Sequence, residues 1–173
     1  AKINLGAGND TLTLAAASGK GAVVDGGDGI DTLAVTAAAQ LDANSKATYV
    51  NFEVPQVSAN GATAAESFDP TLVSGITSYK VAASTKGVEL KNLAAAPTVT
   101  VIGDAADLTL TLKDATGAAD SATVTLDNGA VSKAGTRIDG VAVTKLTAAG
   151  VETLNIHSNG TVSTETGVVG TAN

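Results

Sequence analysis

Two short loops rich in glycine and aspartate constrain the fold of this chain of 173 residues more than any other feature. The second loop, Gly26 to Ala34, fits the nonapeptide G-G-x-G-x-D-x-U-x at every defined position, where U is a large aliphatic residue. The first loop, Leu5 to Thr13, departs from it only at Leu5. Glycines at these positions let the backbone turn sharply and direct carbonyl groups inward. The aspartate adds an anionic oxygen, and the aliphatic residue begins a strand that points into a core.

The spacing of the two loops predicts that they stack. Asp10 and Asp31 are 21 residues apart, and a coil made of two nine-residue half-turns has about 18 residues. Both loops should therefore lie on one edge of a repeating structure, one coil apart, with a small insertion. Calcium takes six to eight oxygen ligands, which two stacked loops can supply and one loop cannot. The sequence predicts a calcium ion between residues 6–10 and 27–31; the alternative is a pair of glycine-rich turns with solvated aspartates.

The composition favours a narrow core and excludes several classes of function. The chain has no Cys, Met or Trp, two Tyr and two Phe, so a wide core would be hard to fill, whereas a narrow repeated core needs only aliphatic residues. The absence of Cys from an acidic chain rich in Gly, Thr and Ala fits bacterial export, with calcium in place of disulfides. A net charge of −7 argues against nucleic acid as a partner. No apolar run approaches the ~20 residues of a membrane span.

Strand signals dominate the rest of the chain. Aliphatic residues alternate with threonine or alanine in several segments, which puts the aliphatic side chains on a buried face. These segments are 11–14, 98–101, 108–112, 123–126 and 141–143. Residues 60–70 are polar and follow no regular pattern. This composition predicts a surface loop that contains one helical turn.

A second, weaker repeat points to a parallel arrangement. Residues 51–57, 75–81 and 150–156 each begin with Gly or Asn, continue with a large apolar residue, and carry Val or Ile five positions later. Single strands that recur and end in small residues are what a parallel solenoid needs, because each coil adds one strand beside the last. The alternative is chance similarity among segments that favour strands. We predict an all-β parallel solenoid over residues 1–173, in which 3–35 form a calcium-binding β-roll and 36–173 form further coils and surface excursions.

The order of these motifs resembles a known family. A G-A-G-N-D-T-L-T loop, a G-G-D-G-x-D-T-L loop, an N-F-E strand and a final G-V-E-T-L-N-I resemble the calcium-dependent surface-layer proteins of Gram-negative bacteria, of the repeats-in-toxin type, such as those that coat Caulobacter and Campylobacter cells. The resemblance covers Ile3 to Ile156 and implies a right-handed β-solenoid (a β-roll or β-helix), secretion to the cell surface, and assembly with other copies into a lattice. Cell-surface polysaccharide would be contacted through parts outside this chain, which begins inside a repeat and looks like a fragment. Residues 54–56, V-P-Q, depart from the usual T-L-N after N-F-E, and we expect Pro55 at a sheet edge or bulge.

The resemblance also implies a set of calcium ligands. Asp10 and Asp31 would bind through their carboxylates, and carbonyl groups around the loop glycines would supply most of the remaining oxygens. Asn9 and Asp28 are additional candidates. The glycines concerned are Gly6, Gly8, Gly27 and Gly29. Two further acidic pairs, Asp104 with Asp107 and Asp114 with Asp120, are weaker candidates, for which solvated turns are the favoured interpretation.

The sequence offers little support for catalysis. Ser-His-Asp and Cys-His arrangements would have to use His157, the one histidine, and no G-x-S-x-G elbow is present. We therefore predict a structural protein that is not an enzyme. The alternatives are a secreted adhesin that uses the solenoid as a stalk and a calcium-dependent polysaccharide lyase or epimerase. Exposed aromatic and basic side chains on one face would favour the enzyme.

Overall fold

The computed structural model describes residues 1–14, 21–41, 47–127 and 140–159. The regular secondary structure of the described chain is all β-strand apart from two short 3₁₀ turns, at Ala38–Leu41 and Pro70–Leu72. Its strands are β1 (Lys2–Asn4), β2 (Thr11–Thr13), β3 (Val23–Asp25), β4 (Thr32–Val35), β5 (Thr48–Val50), β6 (Val54–Val57), β7 (Glu66–Phe68), β8 (Tyr79–Val81), β9 (Val88–Leu93), β10 (Thr98–Val101), β11 (Ala105–Leu112), β12 (Ser121–Leu126), β13 (Val143–Ala148) and β14 (Thr153–Ser158).

The strands form three sheets in which every pairing is parallel. The even-numbered strands form one seven-stranded sheet in the order β14-β12-β10-β8-β6-β4-β2. The odd-numbered strands form a three-stranded sheet, β1-β3-β5, and a four-stranded sheet, β13-β11-β9-β7. The chain therefore alternates between the long sheet and a short one, and each return lays a strand beside the preceding coil. The predicted parallel β-solenoid is confirmed.

The core is the space between the long sheet and the two short sheets. In β10 and β12 the aliphatic residues are buried, except Leu126, which is half-buried, and the threonines between them are exposed or half-buried, as the period of two predicts. Val99 and Val124 face each other in adjacent coils, as do Leu90 and Leu110, so the core is a stack of aliphatic columns. Burying a Leu or Val side chain stabilises the fold by about 1.5–3 kcal/mol. Because the coils repeat, each coil gains such a contribution.

The second repeat of the sequence corresponds to corners that lead into the long sheet. Asn51, Gly75 and Gly150 all have left-handed backbone conformations, with φ of 55°, 92° and 74°. Glycine and asparagine tolerate this conformation better than other residues. Each lies shortly before a strand of the long sheet, namely β6, β8 and β14. The shared pattern is therefore a turn followed by an inward-facing strand.

The prediction for residues 60–70 was wrong in one respect. Glu66–Phe68 form β7, which pairs in parallel with β9. Phe68 is buried, and burial of this aromatic ring outweighs the polar character of its neighbours. The expected helical turn lies just beyond, at Pro70–Leu72, where Asp69 caps it by accepting a hydrogen bond from the Thr71 N–H at 3.1 Å. Within the described residues, no helix has the length and apolar character needed to cross a membrane.

Candidate metal centre

The two glycine-aspartate loops occupy the same corner of consecutive coils. The first connects β1 to β2 and the second connects β3 to β4. Because β1 pairs with β3 and β2 pairs with β4, the two loops lie directly one above the other, as their spacing predicts. The Asp28 N–H donates to Gly6 O at 2.9 Å, and the Gly8 N–H donates to Asp28 O at 2.8 Å. The backbones of the loops therefore continue the parallel ladder around the corner.

Glycine is required in the second loop for two separate reasons. Gly27 and Gly29 have φ of 106° and 145°, which other residues adopt only with strain. In addition, a Cβ added to Gly27 would stand 1.8 Å from Gly6 O, and one added to Gly29 would stand 1.9 Å from Gly8 O. The carbonyl oxygens of the first loop therefore lie against the α-carbons of the second. No other residue type lets the loops stack so closely.

The two predicted aspartates meet across this stack. Each immediately precedes a strand of the long sheet, and the Asp10 N–H donates to Asp31 Oδ1 at 2.7 Å. The Asp31 side chain is fully buried, with 0% of its surface exposed. The Oδ2 atoms of both aspartates are buried and have no hydrogen-bond partner among the residues that the structure describes. Unpaired buried carboxylate oxygens are unfavourable, so this corner lacks a positive partner.

No basic side chain in the described ranges supplies that partner. An ion pair joins Lys91 to Glu89, away from this corner, on β9 of the four-stranded sheet. Three or more acidic or histidine side chains do not converge at any point of the described chain. A cation at this corner would therefore combine two carboxylates with main-chain carbonyls and water. Such mixed oxygen sets suit calcium, which accepts six to eight ligands in flexible geometry.

The remaining predicted ligands have different surroundings. Gly6 O already accepts the hydrogen bond from Asp28, and Asn9 Oδ1 accepts one from the Ile30 N–H at 3.0 Å. Asn9 therefore joins the loops directly in this structure. Asp28 is exposed at the outer side of the turn. Of the predicted side chains in the two loops, Asp10 and Asp31 have the unpartnered oxygens, and calcium coordination by the set stays a prediction.

The sequence reasoning missed Glu53. It precedes β6 as Asp31 precedes β4, and its Oε2 accepts a hydrogen bond from the Asp31 N–H at 2.8 Å. Asp10, Asp31 and Glu53 therefore form a column of carboxylates on three consecutive coils. The signal was present in the sequence as an acid directly before a strand. It was hidden because the third coil replaces the glycine loop with two residues, Asn51 and Phe52.

The members of the weaker acidic pairs differ in their surroundings. Asp114 Oδ1 accepts from the Thr116 N–H at 3.1 Å and from the Thr116 hydroxyl at 2.7 Å, and these bonds lower the pKa of Asp114, the hydroxyl contributing most. Asp104 Oδ1 accepts from the Ala142 N–H at 2.9 Å, while Asp107 is exposed on β11. The backbone N–H of Asp120 donates to Glu152 Oε2 at 2.8 Å, and Asp120 Oδ2 is buried with no hydrogen-bond partner among the described residues. Metal binding by these pairs stays untested.

A groove beside β8 and β10 is the other concave surface of note. Its lining includes Pro70, Tyr79, Pro97 and Lys113, and no carboxylate. Burial, and to a smaller extent the charge of Asp69, raises the pKa of the Tyr79 hydroxyl, which therefore stays protonated at neutral pH. His157 lies on the exposed surface of β14. The groove thus lacks the paired carboxylates of a glycoside hydrolase site.

No protein-family model, curated protein or solved structure matches this chain.

Proposed function

We propose that this chain is a structural segment of a secreted bacterial surface-layer protein, stapled by calcium and assembling with other copies of itself on the cell surface. The observation that carries the proposal is Asp31, a fully buried carboxylate between stacked glycine loops with one oxygen unpartnered. A repeating parallel solenoid supports it, since such a fold presents extended, regular surfaces. The motif order of a surface-layer protein supports the choice of this class.

Calcium would make folding depend on whether the chain is inside or outside the cell. Where free calcium is scarce, Asp10 and Asp31 repel each other and the glycine-rich loops keep their conformational entropy. Outside the cell, millimolar calcium matches or exceeds the ~10⁻⁴–10⁻³ M dissociation constants of extracellular calcium modules. Binding to the folded state alone stabilises it, by about 1.4 kcal/mol per site at ten times the dissociation constant. The coils that carry the two glycine loops would therefore remain unfolded before export and fold on arrival.

Folding and assembly can be tested together on the purified chain. We expect EDTA to give a monomer with less β-structure by circular dichroism and light scattering, because the coils of residues 3–35 lose their fold first. Millimolar calcium should give β-structure and ordered sheets by electron microscopy, and magnesium should not replace it. A chain that folds with calcium but remains monomeric would favour the adhesin stalk, and cleavage of an acidic polysaccharide would favour the lyase. Folding that is indifferent to calcium would contradict the proposal.

A further inference from the structure

We propose a second calcium site, between the second and third coils, formed by Asp31, Glu53 and the main-chain carbonyl of Asn51. It extends the proposed calcium staple by one coil and therefore rests on the proposed role of calcium. The third coil has no glycine-aspartate nonapeptide, so its sequence gives no indication of a metal site. The inference comes from the direction of one oxygen of Asp31 and from the close approach of the Asn51 carbonyl to it beside Gly26.

The two oxygens of Asp31 face different neighbours. Oδ1 accepts the N–H of Asp10 from the first coil at 2.7 Å, whereas Oδ2 is buried without a partner. Oδ2 lies 2.6 Å from the point at which a Cβ of residue 26 would stand, and Asn51 O lies 2.0 Å from that point. Oxygens from the second and third coils therefore lie close together against the α-carbon of Gly26, an approach that any side chain at residue 26 would block. Gly26 does not have the left-handed conformation of Gly27 and Gly29, so space is the reason for glycine here.

Glu53 adds the second negative charge at this place. Its Oε2 is fixed by the Asp31 N–H at 2.8 Å. Neither acid forms an ion pair within the described residues. Two adjacent carboxylates, one of them fully buried, are unfavourable unless a cation lies between them.

Asn51 is held in position to serve as a ligand. Its backbone is left-handed, with φ of 55°, a conformation that asparagine adopts more readily than most residues. Its Nδ2 donates to Asp25 Oδ1 at 2.8 Å, so the side chain fastens the third coil to the second. The direction of the Asn51 carbonyl is therefore set before any ion binds, which reduces the entropy lost on binding.

Calcium titration calorimetry on the full chain can distinguish the two sites. The wild type should bind one more calcium ion per chain than Glu53→Gln, because the amide keeps a hydrogen-bond acceptor for Asp31 but loses the charge. Asp10→Asn should also lose one ion, from the first site. Glu89→Gln removes the same charge from β9 in the four-stranded sheet. This variant should bind as many calcium ions as the wild type does.

The outcomes separate this inference from the proposed function. Wild-type stoichiometry and affinity in Glu53→Gln, together with a lost ion in Asp10→Asn, would overturn the second site and leave the calcium staple intact. No calcium binding by the wild type would overturn both. If Glu53→Gln fails to fold, amide exchange of the wild type gives the answer. Calcium should protect residues 51–54 as it protects residues 6–10, and protection confined to residues 6–10 would overturn the second site.

Discussion

At the scale of single residues, Asp31 has less favourable surroundings for a charged carboxylate than Asp10, its counterpart in the first loop. It is fully buried, accepts one hydrogen bond, and has Glu53 against its N–H. Transferring an ion from water into a protein costs several kcal/mol unless it is compensated. A unit charge of opposite sign at 4 Å returns about 4 kcal/mol at an effective dielectric constant of 20, and calcium carries two. The stability of this corner should therefore depend on the cation.

Replacing Asp31 should destabilise the chain far more than replacing Asp28. Asp31→Ala removes the acceptor of the Asp10 N–H, which costs about 1–3 kcal/mol, and it removes the calcium contribution as well. Asp28→Ala alters an exposed side chain and should change stability by about 0.5 kcal/mol or less. Urea unfolding in calcium measures both variants. Equal losses would contradict the assignment of Asp31 as a ligand.

Asp31→Asn separates the hydrogen bond from the charge. Its amide oxygen can still accept from Asp10, so only the calcium contribution should be lost, about 1.4 kcal/mol when calcium is at ten times the dissociation constant. In EDTA this variant should be at least as stable as the wild type, because a repulsive charge is gone. A deficit that persists unchanged in EDTA would show that the carboxylate acts without a metal.

Glu89 should give a small contribution to stability that depends on pH. The Ser67 hydroxyl donates to it at 2.7 Å, Thr111 donates at 3.1 Å and Lys91 lies at 3.6 Å. The hydrogen bond from Ser67, then that from Thr111 and the charge of Lys91, hold the pKa of Glu89 below its usual value of 4.5. A lowered folded-state pKa stabilises the fold above the unfolded-state pKa, and this stabilisation is lost as pH falls through the folded-state value. Glu89→Gln should therefore cost under about 1 kcal/mol at pH 7, and the cost should vanish in acid; a cost that urea unfolding finds constant with pH would contradict this.

At the scale of elements, the two glycine loops pack against each other with corresponding residues in contact. Gly8 and Gly29 occupy corresponding positions, and both are left-handed, with φ of 124° and 145°. A Cβ on Gly8 would meet nothing within 4 Å, whereas one on Gly29 would meet Gly8 O at 1.9 Å. The first loop therefore needs glycine for conformation, and the second needs it for conformation and contact.

Alanine substitutions should reveal this difference. Gly8→Ala should cost about 1–3 kcal/mol, from backbone strain alone. Gly29→Ala should cost more, because the loops must also separate, and it should weaken calcium binding while Gly8→Ala leaves it nearly unchanged. Thermal unfolding and calcium titration of the two variants provide the comparison. Equal effects would mean that the loops do not stack as described.

Pro55 lies at a position in β6 that its sequence did not predict. It was expected at an edge or bulge, but β6 lies inside the long sheet, between β4 and β8. The N–H groups of Val54 and Ser58 donate toward β4, at 3.0 Å each, so the nitrogen of Pro55 faces β8. The register between β6 and β8 begins only at Gln56 and Lys80. The missing donor thus falls where the ladder has not yet begun, and the edge assignment was wrong.

At the scale of the whole molecule, the repeating parts were predictable and the irregular parts were not. The strict alternation of Thr98–Val101 and the nonapeptides around Asp10 and Asp31 encode strands and corners locally. The strand at Phe68 and the acid at Glu53 depend on neighbours about one coil away in the sequence, which no local pattern reveals. Of the predicted site, the stacking and the two aspartates could be read from the sequence, and the directions of their oxygens could not.

The solenoid also predicts that loss of calcium acts locally. Coils contact mainly their neighbours, so stability is close to a sum of terms from each coil and each interface. The first coils depend on the carboxylate column, because β1 and β2 have little buried surface. Strands β9 to β12 bury a continuous aliphatic stack. Removing calcium should loosen residues 3–35 first and leave the later coils folded longest.

Hydrogen–deuterium exchange of the whole chain, with calcium and with EDTA, tests the calcium staple most directly. Amide exchange reports the free energy of local opening in each segment. The account predicts that EDTA removes protection from residues 3–14 and 21–35, and that it changes protection less in residues 98–112. Exchange that is identical in calcium and EDTA across both glycine loops would contradict the account.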